Sequence, residues 1–294
     1  MSTFPIPATK PVSSDASDAV IRLIVNADDL GRGAATDRGI FRAWADGIVT
    51  SASLLANSLT FREAAEEARK LGMPVGVHLN LAEGRALSGE IRGLTQNGEF
   101  PGKMETRCRL RAGAVNGDDL RREIAAQIER LYDAGLRPGH FDSHQHTLLF
   151  PAVAEAAIAV AGQFGITATR LPQPQEPAEA DPAGSLGDEL ALYRRLAPKL
   201  SRRLRASGFR TPDGLWGMPS LNRLDEVELV RILQRVPPGT WELMVHPGGC
   251  EPADSFATHH RVREVEALTA ASIQALVRER QIRLIHFGDL PCAS

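Results

Sequence analysis

IRLIVNADDLGRGAATDRGIFRAWADGIVTSASLLANSLTFREAAEEARKLGMPVGVHLN, residues 21–80, decides the fold. IRLIVN (21–26) is a short run of apolar and β-branched residues bounded by acidic and glycine residues, which predicts a buried strand. A segment of helical period follows near 34–46, then the apolar run IVTSASLLA (48–56), a second helical segment near 60–71, and PVGVHLN (74–80). Strands alternating with helices of this length are the βαβ rhythm of a parallel sheet in an α/β protein.

Downstream, the same rhythm predicts a helix near 118–134, a strand from His140 to Ser143, a helix near 151–164 and a strand at ITATRL (166–171). It closes with WELMVH (241–246), a helix near 261–280 and IRLIHF (282–287), so about seven strands are expected. Residues 84–116 hold several glycines and show no clear period, and 172–187 are rich in Pro, Glu and Ala; both read as loops, and long loops between sheet elements usually shape a binding site. Residues 1–20 are Ser, Pro, Ala and Asp with little to bury and read as a mobile leader, leaving 21–294 as one domain.

The 34 basic and 36 acidic residues give a net charge of -2, with neither sign gathered into long blocks. That excludes the footprint a phosphate backbone or an anionic membrane needs, so a small molecule is expected as partner and nucleic acid is not. No run reaches the ~20 apolar residues of a membrane span and no secretory signal is present, which implies a cytoplasmic protein without an integral membrane segment. Cys108, Cys250 and Cys292 are odd in number and widely spaced, so each reads as an idle or buried thiol. The sequence is compatible with a monomer or a homodimer.

Chemically capable residues sit at the downstream ends of predicted strands. Asp28 and Asp29 follow IRLIVN, His78 ends PVGVH, Asp142, His144 and His146 lie in or after HFDS, Arg170 ends ITATR and His246 ends ELMVH. In parallel α/β folds such positions converge on one rim, where active sites are built. Two imidazoles and a carboxylate with positions left open suit a catalytic divalent cation, zinc or magnesium. In extended backbone His144 and His146 share a face and Gln145 points away, although a strand end can bend sharply at such a point.

Each residue alone has a plainer reading. A single histidine in an apolar run is more often a hydrogen-bonded core residue than a ligand, and an Asp before Gly and a helix is often an N-cap. Coincidence becomes a poor account when five strand ends carry such residues together. His140, His259, His260 and His286 keep the plain reading.

The strings VNADDLG (25–31), GIVTSASLLAN (47–57), GVHLNLAEG (76–84), HFDSHQH (140–146) and MVHPG (244–248) closely resemble, in order and spacing, the YdjC-type carbohydrate deacetylases. The resemblance covers Ile21 to Leu290. It implies a distorted (β/α) barrel of mainly parallel strands, similar to polysaccharide-deacetylase barrels. It also implies hydrolysis of N-acetyl groups from amino sugars with one divalent cation (Mg2+ or Zn2+). Matched position by position, the ligands would be Asp29, His78 and His144, with Asp28 as general base and His246 as general acid. Many relatives carry three consecutive histidines where this chain has His144-Gln145-His146. RLPQP (170–174), the basic helix near 193–206 and PPGTWELMVHPG (237–248) are most similar to the hopanoid-associated branch, which implies a lipid-linked N-acetylglucosamine beside a chitooligosaccharide-like substrate.

On that reading His246 donates its proton as imidazolium, Asp142 orients a histidine or serves an ordinary turn, His146 reaches the site, and Arg170 holds Asp28 or a sugar hydroxyl or else makes a surface salt bridge. Trp216 or Trp241 could stack on a sugar face, although core packing is the better reading for Trp241, which lies in a strand. The competing functions are a metal-dependent phosphoesterase, which would want two metals and a phosphate cradle, and a non-catalytic sugar-binding relative, which would lack the Asp28–Asp29 pair or His246.

Overall fold

The computed structural model describes residues 20–250 and 258–291. The segment read as a leader lies outside them apart from Val20, as does Cys292. Seven strands form one curled sheet in which every ladder is parallel: β1 Ile21–Leu30, β2 Ser51–Leu54, β3 Val75–Leu79, β4 Phe141–Ser143, β5 Leu215–Trp216, β6 Gly239–Val245 and β7 Arg283–Ile285. The order is β4-β3-β2-β1-β6-β5, with β7 also on β1. β1 lies at the centre because its residues from Leu23 to Leu30 are all buried, the burial expected of an apolar strand covered on both faces. The path from β4 round to β5 is spanned by single bridges, Phe141 to Thr169 and Pro174 to Leu215, which makes the barrel distorted.

Nine helices are formed by the described residues: α1 Ala34–Asp46, α2 Phe61–Leu71, α3 Lys103–Ala112, α4 Gly117–Asp133, α5 Pro151–Gln163, α6 Ser185–Ala206, α7 Glu226–Arg235, α8 His259–Thr269 and α9 Ala271–Glu279. Three differences from the sequence reading have physical causes. ITATRL is not a regular strand, because its neighbour β4 is only three residues long and offers one ladder point; the segment holds on through the bridges at Ala168 and Thr169. The helix expected at 261–280 is two, parted at Ala270 (ψ 135°), where the carbonyl of Leu268 accepts the N–H of Ile48. α3 escaped notice because the face it buries is Thr106, Arg107 and Leu110, which has no apolar stripe to read.

Two glycines let the site form. A Cβ at Gly76 on β3 would lie 2.3 Å from the ring of His140, and one at Gly39 on α1 would lie 2.4 Å from the Cα of Gly248. The first contact brings the His140 ring close to β3; the second seats the turn after β6, and with it His246, against α1. His140 itself stacks on Phe287 at 3.8 Å and sits 3.2 Å from the Ser53 hydroxyl, and burial lowers its pKa to about 3. It is a core histidine.

β5 was not foreseen, and it is held partly by a buried acid. Glu176 Oε1 accepts the N–H of Gly217 while Oε2 has no hydrogen-bond partner among the described residues, and burial pushes its pKa up to about 7. A carboxyl whose folded pKa lies above its unfolded value near 4.5 favours the native state at low pH, and that contribution is lost as pH rises to about 7. Glu176→Gln keeps an acceptor without the charge. Thermal melts should show the variant gaining on wild type between pH 5 and 8; a gap that does not change with pH would place the ionisation elsewhere.

Candidate functional site

Asp28 and Asp29 are neighbours on β1, and in a regular strand they would point to opposite faces. The ladder to β2 slips between Ala27 and Leu30, and Asp29 takes φ 67°, a left-handed conformation costly for a non-glycine residue. This bulge turns both carboxylates into one cleft of about 340 Å³. His78 from β3, His144 immediately after β4 and His246 immediately after β6 line the same cleft. The convergence expected at the strand ends is present.

Asp29 Oδ1 lies 3.1 Å from His144 Nδ1 and 3.6 Å from His78 Nε2, and the three donor atoms fall within 4.8 Å of one another. All three residues are buried, and among the described residues the neighbours of Asp29 Oδ1 are these two imidazoles. Burial disfavours charge on Asp29, yet His144 and Arg261 outweigh it and hold its pKa well below the usual carboxylate range. Burial likewise opposes charge on His144, but Asp29 and Glu83 raise its pKa to about 9. The pocket is therefore one that draws in positive charge. Its one carboxylate oxygen and two imidazole nitrogens form a possible metal-binding triad, a donor set that fits a divalent cation.

His78 turns its other nitrogen, Nδ1, to Asp142 Oδ1 at 2.7 Å, the carboxylate partner that fixes ring orientation in metal-binding imidazoles. Asp142 receives the Ser53 hydroxyl at 2.9 Å. Burial raises the pKa of Asp142, and Arg170 and His78 override it, so the carboxyl stays ionised.

Arg170 is 1% exposed and grips Asp28 with two hydrogen bonds of 2.7 and 2.6 Å, while reaching Asp142 at 2.9 Å and Glu242 at 2.6 Å. A surface salt bridge is thereby ruled out for it. Losing one partner from so buried an ion cluster is costly, because the remaining charges stay out of water. Burial brings the Glu242 carboxyl up to about 7. His246 Nε2 lies 3.9 Å from Asp28 Oδ2. Burial lowers the pKa of His246 to about 4, with the nearby aspartates opposing, so the imidazole is uncharged at neutral pH rather than the imidazolium expected from sequence.

Gln145 and His146 both have left-handed backbones (φ 54° and 56°), so the extended geometry expected for 144–146 fails. Gln145 does not point away: it lines the cleft and donates to Glu83 Oε1 at 2.7 Å. His146 reaches the cleft and packs against Tyr193, ring centroids 5.1 Å apart. The tryptophans do not line it. Trp216 is buried against Trp241, whose indole N–H donates to the Pro237 carbonyl.

Sequence reasoning placed a helix over this segment but missed the two residues of α8 that reach the site. Arg261, fully buried, donates to Asp29 Oδ2 at 2.6 Å, leaving Oδ1 to the triad, and Glu264 accepts the backbone N–H of His246 at 2.6 Å. An Arg-x-x-Glu pair on one helix face was the only available signal, and it is a common surface pattern.

Residues 22–279 match the family model of YdjC-like proteins. The chain is 34% identical to a carbohydrate deacetylase of Mus musculus, over 92% of this chain and 95% of that one. It is 30% identical to a chitooligosaccharide deacetylase of Salmonella paratyphi B, over 91% and 98%. Among solved structures, it is similar to a protein of Enterococcus faecalis provisionally named for cellobiose-phosphate cleavage, with TM-score 0.70, 27% identity and coverage of 91% and 98%. A family match over most of the chain, with four of the five quoted strings lining one cleft, gives the conclusion that this protein belongs to the YdjC-like family.

Proposed function

We propose that the protein is a metal-dependent hydrolase that removes the N-acetyl group of an amino sugar, either chitooligosaccharide-like or a lipid-linked N-acetylglucosamine. The observation that carries this reading is the division of labour between the adjacent aspartates. Asp29 presents Oδ1 to two imidazoles, whereas both oxygens of Asp28 are held by Arg170 and one lies 3.9 Å from His246. The names of the curated relatives, which are carbohydrate and chitooligosaccharide deacetylases, support the same chemistry.

Asp29, His78 and His144 would hold the divalent cation, which when bound supplies Lewis-acid polarisation of the acetyl carbonyl and a more acidic water. Asp28 accepts the proton of the attacking water, and the two hydrogen bonds from Arg170 keep its carboxylate aimed. His246 then protonates the departing amine. Since its imidazole rests uncharged, and a cation nearby would depress its pKa further, the proton must reach it during the cycle. Asp28 Oδ2 is the nearby carboxylate that has just gained one.

The phosphoesterase alternative loses ground on one contact. The second grouping of possible donors, Asp28, His78 and Asp142, is bound by Arg170, which occupies the place a second cation would take. The test of the proposal is acetate release by metal-reconstituted protein from N-acetylated chitooligosaccharides and from lipid-linked aminosugars. Acetate from one of these is the expected result, and none from either would reject the assignment.

A further inference from the structure

α3 and α6 together carry ten Lys or Arg against three acids, a net charge of +7 within a chain whose total is -2, so the remainder carries -9. In sequence these two helices lie more than seventy residues apart, and the fold sets them side by side through the Lys103–Glu189 and Arg107–Glu189 pairs. Between them runs a groove of about 590 Å³ lined by Arg107, Arg111 and Arg195. Glu189 lines both this groove and the cleft of the triad, so the basic face borders the mouth of the site.

Along α6, Arg195, Lys199 and Arg202 are spaced i, i+4 and i+7, which places them on one helical face, and all three are exposed, as is Arg111 of α3. None of the four has a side-chain hydrogen bond or ion pair with the described residues, and no acid occurs in α6 after Glu189. Like charges at this spacing destabilise a helix. The helix dipole accounts for cations in the last turn, Arg203 and Arg205, but not for Arg195 and Lys199 in the middle. The charge suits a partner outside the chain.

We propose that the α3–α6 face docks the protein onto an anionic lipid surface and thereby brings the mouth of the cleft to that surface. The inference rests on the deacetylase reading only for its purpose, since a lipid-linked amino sugar would be met there. Adhesion is electrostatic rather than insertive. The apolar side of α6, Leu190, Tyr193, Leu200 and Leu204, is buried in the core, leaving only Met104 on α3, 68% exposed, as an apolar contact. Polybasic surfaces bind anionic leaflets in this way and release them as salt screens the attraction. In a chain of net negative charge, electrostatic adhesion to an anionic surface requires such segregation.

The test is co-sedimentation of the full chain with phosphatidylcholine vesicles, with and without an added third of phosphatidylglycerol, at low and physiological salt. Binding should require the anionic lipid and weaken with salt. Arg195→Glu/Lys199→Glu/Arg202→Glu should weaken it by roughly a hundredfold or more. A control with the same charge change on α1 and α2, Arg38→Glu/Arg42→Glu/Arg62→Glu, should bind as wild type; melts of both variants report folding. No binding at low salt, equal binding to neutral vesicles, equal loss in the control, or retention on soluble heparin without vesicle binding would each overturn the proposal. None of these readings involves turnover, so each leaves the deacetylase assignment standing.

Discussion

Asp28→Asn is expected to lower kcat by roughly 10²–10⁴-fold while leaving metal content and substrate affinity near wild type, and His246→Ala should do the same. The geometry gives the reason. Asp28 is tied to Arg170 and not to the triad, so removing its charge costs the transfer of a proton and spares the cation site. An effect confined to kcat is the pattern of an interaction made only in the transition state. Steady-state kinetics beside metal analysis would decide it. Loss of the cation in Asp28→Asn would mean that the two aspartates have exchanged roles. The uncharged resting state of His246 adds a pH consequence: the rate should show no alkaline limb belonging to this imidazole, so wild type and His246→Ala should share the shape of their profiles above neutrality. An alkaline limb present in wild type and lost in the variant would show that the imidazolium is the starting form after all.

The second large effect is at the triad. Wild type should bind about one divalent cation per chain, and His78→Ala and His144→Ala should each reduce occupancy severely and take activity with it, because a three-donor site that loses one donor is incomplete. The histidines should differ in one respect. His78 is held from behind by Asp142, so Asp142→Asn should weaken binding as well, by the 10- to 100-fold typical of such outer partners. His144 faces Asp29 and Glu83 directly. Metal analysis after reconstitution gives the answer, and unchanged occupancy in both alanine variants would sink the ligand assignment.

How much of this was readable in the sequence depends on how local its cause was. Period and burial are local properties, so IRLIVN, PVGVHLN and WELMVH announced β1, β3 and β6, and their downstream ends marked Asp28, Asp29, His78 and His246 as residues of one rim. The same logic failed where a segment lacked a partner or a stripe. ITATRL had apolar residues but only isolated bridges to hold it, and α3 buried an arginine instead of a leucine.

What the sequence by itself determined is most of the order of elements and which residues able to bind a cation or carry a proton lie at the strand ends, since these follow from composition and spacing along the chain. Only the tertiary structure decided which oxygen of Asp29 faces the triad, because Arg261, which takes the other, lies 232 residues away. It also decided that Arg170 is a clamp shared by Asp28, Asp142 and Glu242, that His246 rests uncharged, and that the basic residues of α3 and α6 form one face. These properties depend on distance and dielectric, which pairing across the sheet and burial beneath the helices create and which no stretch of sequence contains.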